Sequence, residues 1–150
     1  MKTISGIEGY KALQGQPLGE SGWLQVDQDR INQFADATGD HQWIHVDVER
    51  AKQGPFGAPI AHGFLTLSLI PSLTAGLLKI DGVRMGINYG LNRVRFPSPV
   101  KVGSKVRATV KNLSIEDVQG GIQVVNEVTI AVEGQEKPAC VAETVTRLYV

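Results

Sequence analysis

The chain has 150 residues, which is enough for one domain and too few for two domains of ordinary size. Its 42% hydrophobic content is typical of a globular protein, and its 15 basic residues balance 15 acidic ones, so no overall positive field would attract nucleic acid or anionic lipid. The single cysteine, Cys140, excludes an internal disulfide, and the first residues lack the apolar core of a signal peptide. We therefore expect one cytoplasmic domain over residues 1–150, with Cys140 a buried free thiol and with no affinity for nucleic acid or membranes.

An amphipathic helix is predicted over residues 27–38. Four residues spaced as i, i+3, i+4 and i+7 form its apolar face: Ile31, Phe34, Ala35 and Thr38. Asp27 is a suitable N-cap, and Gly39 suits the left-handed position that ends a helix. Asp47 is placed to cap a short second helix over residues 48–51. The segment between the two helices is therefore a short connection.

The most apolar stretch, residues 64–78, predicts a helix buried inside the fold. It is short for a membrane span, and its apolar residues lie on nearly every helical face, so other elements must surround it. Pro71 has no N–H to donate to the carbonyl of Leu67, and a kink is expected there.

The second half of the chain is predicted to be β-structure. Three segments alternate apolar with polar residues, and a last strand is expected over residues 139–149. The apolar positions of the three segments are Val83, Met85, Ile87, Tyr89 and Leu91; Val106, Ala108 and Val110; and Ile122, Val124, Val128, Ile130 and Val132. The alternation changes phase near Asn92, which indicates a bulge, and Gly120-Gly121 suits a hairpin turn. The simplest packing is an α+β fold, with an antiparallel sheet wrapped around the helix and an open edge for a dimer partner.

One connection carries an unusual mixture of side chains. Residues 38–45, Thr-Gly-Asp-His-Gln-Trp-Ile-His, combine a carboxylate, two imidazoles, an amide and an indole. His41 and His45 have the spacing of the two ligands in HExxH zinc sites, but Gln42 replaces the essential glutamate and Gly39 argues against a continuing helix. We therefore expect no metal here. A serine nucleophile is not expected either, since no GxSxG motif occurs.

Asp40 and His45 suit an acid/base pair acting on water. On a loop the two side chains can converge, and a carboxylate and an imidazole that share one water can activate it and then return a proton. The alternative is structural, with Asp40 capping a turn and His45 a partly buried histidine. His41 is expected to face solvent and to take no part in catalysis.

Gly63 is a candidate oxyanion site. The first amides of a helix have no partner within it and lie at the positive end of its dipole, and glycine lets a ligand approach the backbone closely. An amide here would bind a thioester oxygen as it becomes enolate-like. The alternative is that Gly63 only permits tight packing. His62 is expected to be a polar cap of the helix rather than a base.

Three phrases of the sequence resemble one known family. They are residues 34–40, Phe-Ala-Asp-Ala-Thr-Gly-Asp, followed by His45 and Ala51; residues 59–63, Pro-Ile-Ala-His-Gly; and residues 96–100, Phe-Pro-Ser-Pro-Val. Together they resemble the MaoC-like dehydratases, the (R)-specific enoyl-CoA hydratases. The form Gly-Asp-His-Gln-Trp-Ile-His-Val-Asp resembles the nodulation-protein-N-like subgroup.

The resemblance implies a hot-dog fold, in which an antiparallel sheet wraps a long central helix, and a homodimer with an acyl tunnel near its interface. It implies a lyase that needs no cofactor and adds water syn to a trans-2-enoyl-CoA, giving an (R)-3-hydroxyacyl-CoA. By the same resemblance Asp40 and His45 hold the water, and Gly63 supplies the oxyanion amide. The family's Asn-Pro pair is Gln42-Trp43 here, and by the resemblance these two substrate-binding positions are where substrate preference would differ from the family's.

Two other functions stay open at this point. Hot-dog thioesterases often place a carboxylate on or beside the central helix, but no Asp or Glu occurs between Glu49 and Asp81. A non-catalytic acyl-CoA-binding module would keep the loop without using it, and the loss of the Asn-Pro pair is the only feature that favours such a module.

Overall fold

The computed structural model describes residues 1–150. The elements in chain order are β1 Lys2–Ile4, α1 Gly6–Lys11, β2 Pro17–Glu20, β3 Leu24–Gln25, α2 Gln28–Thr38, α3 Trp43–Val46, α4 Val48–Lys52, α5 Gly63–Ser68, α6 Ile70–Thr74, β4 Leu78–Ile80, β5 Met85–Arg95, β6 Lys105–Val118, β7 Gly121–Val132 and β8 Cys140–Tyr149. The helices therefore lie in the first half of the chain and the long strands in the second.

Six strands form one antiparallel sheet in the order β2–β6–β7–β8–β5, with β3 also paired to β6. β6 and β7 form a hairpin that turns at Gly120, whose φ of 83° lies in the region that favours glycine. The register of β5 on β8 shifts between Leu91 and Arg93, so the bulge predicted near Asn92 is confirmed. β1 and β4 pair in parallel as a separate ribbon.

The main core lies between this sheet and the helices α5 and α6. The inward residues of β6 and β7 alternate as predicted and are buried: Val106, Ala108, Val110, Val128, Ile130 and Val132. The helices contribute Leu65, Leu69, Ile70 and Leu73, and α2 adds Ile31. Each buried aliphatic side chain stabilises the fold by roughly 1.5–3 kcal/mol, so this interface is the main source of stability. The predicted α+β architecture, a sheet wrapped around a central helical segment, is confirmed.

The caps predicted for α2 and α4 are both present. The Asp27 carboxylate accepts a hydrogen bond of 2.9 Å from the Arg30 amide, and the Asp47 carboxylate accepts one of 3.1 Å from the Arg50 amide. Gly39 ends α2 with a φ of 79°. This left-handed residue turns the chain sharply just before Asp40.

The central helical segment is shorter and less enclosed than predicted. The kink expected from Pro71 is confirmed, because Leu69 separates α5 from α6. The prediction that the helix continues to Leu78 is wrong, since α6 ends at Thr74 and Leu78 begins β4 by pairing with β1. The prediction that every face is covered is also wrong within one chain, because the Phe64 side chain is 69% exposed. No helix of the chain is long and apolar enough to cross a membrane.

Cys140 begins β8 and is fully buried as a free thiol, as predicted. Burial raises its pKa to about 11, so the thiolate needed for nucleophilic attack does not form near neutral pH.

Candidate active site

The connection after α2 brings Asp40 and His45 close together. An oxygen of the Asp40 carboxylate accepts a hydrogen bond of 3.3 Å from the Gln42 amide, which closes a small turn before α3. The Gln28 side-chain amide on α2 donates to the backbone oxygen of His45 at 2.8 Å and ties α3 to α2. The carboxylate of Asp40 and one ring nitrogen from each of His45 and His62 lie within 4.8 Å of one another. Asp40 therefore caps a turn and also faces the His45 ring.

The hydrogen bonds of His45 determine which of its nitrogens is free. Nδ1 lies 2.6 Å from the backbone oxygen of Ile60, and a carbonyl oxygen only accepts, so Nδ1 carries the proton. In the neutral ring Nε2 is then an unprotonated acceptor. The His45 side chain is buried, and burial lowers its pKa below the ordinary 6.5, with a smaller contribution from His62. His45 is therefore suited to accept a proton near neutral pH.

A cavity of about 390 Å³ is lined by His45 and Gly63 but not by Asp40. Its other walls are mostly apolar or small residues: Ile44, Phe56, Ile60, Ala61, Thr66, Phe96, Pro97, Ser98, Pro99, Val100 and Ala139. Gly63 is the first residue of α5, and its amide donates to no protein acceptor. The cavity thus has one imidazole and one free amide in a mostly apolar wall, which is typical of a site for a mostly apolar ligand.

Gly63 is also tightly packed. A Cβ added there would lie 3.1 Å from the Phe96 ring, closer than side chains ordinarily pack. Both of the roles considered for Gly63, close packing and an accessible amide, are therefore compatible with its position.

Gln42 and Trp43 lie outside the walls of this cavity. The Trp43 ring lies under the Arg50 guanidinium, 4.3 Å from its carbon, and covers Gly54 so closely that a Cβ there would come within 2.9 Å. Trp43 therefore joins α3 to the end of α4, and Gln42 contacts the Asp40–His45 pair through its backbone, by the hydrogen bond to the Asp40 carboxylate.

His41 faces solvent, as predicted. Its Nε2 lies 2.9 Å from an oxygen of Asp36, and this hydrogen bond raises the pKa of His41. The ring takes no part in the cluster around His45, although only four positions separate the two residues.

His62 is the residue of the site that sequence reasoning missed. The expectation of a polar helix cap is wrong, because the side chain makes no capping hydrogen bond. Its ring is buried and stacks on the His45 ring, with centroids 3.8 Å apart and an angle of 24° between the planes. The sequence did offer one indication of its role, because His62 lies just before Gly63 in the family-like phrase at residues 59–63. The contact itself joins residues 17 positions apart, which no spacing rule predicts.

Asp40, His45 and His62 also offer three atoms of the kind that bind metal ions. Zinc requires ligand nitrogens to point at one centre about 2.0–2.1 Å away. The two imidazoles are stacked nearly parallel, so their in-plane lone pairs run side by side rather than meeting at a point. This arrangement does not suit a shared ion.

Comparisons with known proteins agree on one family. The sequence model of the MaoC like domain matches residues 10–134. 3-Hydroxyacyl-thioester dehydratase Z of Mycobacterium tuberculosis H37Rv is 52% identical over 148 residues, which is 98% of each chain. Nodulation protein N of Rhizobium leguminosarum bv. viciae is 52% identical over 136 residues, covering 88% of this chain and 84% of that protein. The solved structure of the (R)-hydratase from A. caviae involved in PHA biosynthesis superposes with a TM-score of 0.73 at 26% identity, over 90% of this chain and 96% of that one.

These matches confirm the hot-dog fold and the nodulation-protein-N-like resemblance. They also confirm the predicted enzyme class, since dehydratases and hydratases are hydro-lyases. The family model matches most of the chain, two relatives align over most of its length, and the fold agrees. The chain therefore belongs to the MaoC-like domain family.

Proposed function

We propose that this protein is an (R)-specific enoyl-CoA hydratase and 3-hydroxyacyl-CoA dehydratase. One observation carries the proposal: the carboxylate of Asp40 and a ring nitrogen of His45 lie within 4.8 Å of each other, and His45 lines the same mostly apolar cavity as Gly63. The name of the mycobacterial relative, 3-hydroxyacyl-thioester dehydratase Z, supports a substrate of the same chemical class.

The reaction begins with a water held between Asp40 and His45. Both the carboxylate and the free Nε2 of His45 accept hydrogen bonds, so the two protons of the water are oriented and its oxygen lone pair is directed at the substrate. As the oxygen attacks C3 of the enoyl thioester, the pair takes one proton from the water. Acid–base catalysis of this kind typically contributes about 10²–10⁴ in rate.

Electron density then moves from the carbon–carbon double bond to the thioester oxygen. The Gly63 amide donates a hydrogen bond to this enolate oxygen from the first turn of α5. The pair returns its proton to C2 on the face from which the water attacked, which completes a syn addition of H and OH. Dehydration of the (R)-3-hydroxyacyl thioester follows the same steps in reverse.

A homodimer is the proposed working state. β5 is an edge strand, and its apolar side chains stand open to solvent in one chain: Met85 50%, Ile87 41%, Tyr89 57% and Leu91 47% exposed. A strand of this length with unpaired backbone groups and apolar side chains favours pairing with another copy. We place the enzyme in the cytoplasm, where the reduced thiol of Cys140 would persist.

The substrate is tested with a series of trans-2-enoyl-CoA esters, from crotonyl-CoA upward in chain length. We expect loss of the conjugated enoyl absorbance for at least one member, with the (R)-3-hydroxyacyl-CoA as product. Release of free CoA instead would mean a thioesterase. Thermal stabilisation by acyl-CoA without turnover at any chain length would mean a binding module, and either result would contradict the proposal.

A further inference from the structure

The His62 ring lies where three segments of the site meet. It is 3% exposed and contacts Phe34 of α2 with ring centroids 4.9 Å apart. Its Nε2 lies 3.0 Å from the backbone oxygen of Asp40, and its face covers the ring of His45. One side chain at the start of α5 thus touches both members of the pair that we assign to the water.

The hydrogen bonding of His62 is not explained by packing. The Asp40 carbonyl only accepts, so Nε2 of His62 carries the proton and Nδ1 is an acceptor. This Nδ1 is buried and has no hydrogen-bond partner, which costs stability. An apolar ring would fill the same space without that cost. The feature that only a hydrogen-bonding side chain supplies here is the bond to Asp40.

We propose that His62 is the positioning residue of the Asp40–His45 pair. The inference rests on the proposed function: if the pair holds the attacking water, its separation and orientation set the rate. The hydrogen bond to the Asp40 carbonyl fixes the backbone that carries the carboxylate. The stacked ring fixes the plane of His45 and hence the direction of its Nε2 lone pair.

Without His62, each member of the pair would be less constrained. The Asp40 carboxylate is exposed and is held on the protein side by one hydrogen bond of 3.3 Å. The His45 side chain has one hydrogen bond, to Ile60, about which the ring could still tilt. A misplacement of about 1 Å at a reacting group costs up to roughly 10²-fold in rate. Loss of positioning should therefore lower kcat more than it raises KM.

Two substitutions separate the two contacts. His62→Gln keeps an amide that can reach the Asp40 carbonyl but removes the stacked ring, while His62→Phe keeps a ring but removes the donor. We expect kcat for enoyl-CoA hydration to fall in both, by up to about 10²-fold, with KM changed much less. His41→Gln, which removes an exposed histidine outside the cluster, serves as the control and should keep the wild-type kcat.

A second readout does not depend on activity. Side-chain NMR of His45 reports its tautomer and its pKa, and the groups facing its ring are His62 and Asp40. In the wild type we expect the Nδ1–H tautomer. In His62→Gln the uncovered face of the ring meets water, so the pKa of His45 should rise toward 6.5, while the hydrogen bond to Ile60 keeps the Nδ1–H tautomer.

The outcomes separate the two proposals. If the wild type hydrates no enoyl-CoA, the proposed function fails, and the NMR measurement still decides whether His62 positions His45. Wild-type kcat together with an unchanged His45 pKa in both folded variants overturns the positioning role. If His62→Phe does not fold, as judged by thermal melting, His62→Gln alone decides by the same two readouts.

Discussion

The two histidines of the connection after α2 have opposite environments. The side chain of His41 is 53% exposed and its pKa is raised by the hydrogen bond to Asp36. His45 is buried and its pKa is lowered, first by burial. Sequence reasoning could separate them because Gly39 ends the helix and removes the i, i+4 relation that a shared metal site needs. It could not find His62, because the stacking depends on how α5 packs against the connection.

The pH dependence of activity follows from His45. Because the pKa of folded His45 is below 6.5, the neutral ring that accepts a proton persists below that pH. We expect kcat/KM to fall on acidification with a midpoint below pH 6.5, and His41→Gln to leave that midpoint unchanged. A midpoint at or above 6.5 would contradict this assignment.

The free energy of unfolding should also fall on acidification because of His45, as kcat/KM does. The unfolded chain binds a proton at His45 near pH 6.5, whereas the folded chain resists protonation until a lower pH. Acidification from 6.5 through the folded pKa therefore favours the unfolded chain.

At the scale of elements, sequence reasoning predicted the elements whose residue pattern repeats over many positions and missed the short ones. α2 with its caps, the alternation of β6 and β7 and the bulge in β5 were all predictable from spacing. The strands β1 to β4 have two to four residues each, too few for an alternation, and they form by pairing with distant segments. The early end of α6 has the same origin, because Leu78 pairs with β1.

A bulge in β6 provides an element-scale test. The register shifts after Asn112, which is fully buried; its Oδ1 accepts from the Gly15 amide at 3.2 Å, and its Nδ2 donates to Asn126 Oδ1 at 2.9 Å. Asn112→Leu would remove both hydrogen bonds, which tie the buried Asn112 to the exposed Gly15 and the half-buried Asn126. We expect the free energy of unfolding in urea to fall by about 1–3 kcal/mol.

The matched control for that change is Asn32→Leu on the exposed side of α2. It should alter the free energy of unfolding by no more than about 0.5 kcal/mol, as surface substitutions usually do. An equal loss in the two variants would show that the buried network at the bulge contributes nothing specific.

At the scale of the whole molecule, one chain leaves its helix and its sheet partly uncovered. A second cavity, of about 680 Å³, lies between α5–α6 and β5 and is lined by residues such as Leu67, Pro71 and Leu91. Ser68 and Pro71, on the helix side of this cavity, are exposed, and so is Leu91 on the edge strand. The sequence predicted a central helix covered on every face. The face left uncovered in one chain is therefore next to β5, the strand where we place the second copy.

The dimer is tested by light scattering on the purified protein. We expect a mass of twice the 16.2 kDa of one chain. Ile87→Lys, which puts a charge on the edge strand, should shift the protein toward the monomer, because a buried unpaired charge opposes association. Val48→Lys, at an exposed apolar position on α4, is the control and should leave the mass unchanged. A monomeric wild type, or an Ile87→Lys variant as dimeric as the wild type, would contradict this arrangement.

The central claim is that Asp40 and His45 together activate water, and the initial rate of enoyl-CoA hydration in matched variants tests it most directly. Asp36→Asn and His41→Gln remove the same chemical groups from an exposed ion pair on the same stretch of chain. We predict that Asp40→Asn and His45→Gln each lower the rate by about 10²–10⁴-fold, while the two control variants keep the wild-type rate. A wild-type rate in either Asp40→Asn or His45→Gln would contradict the account.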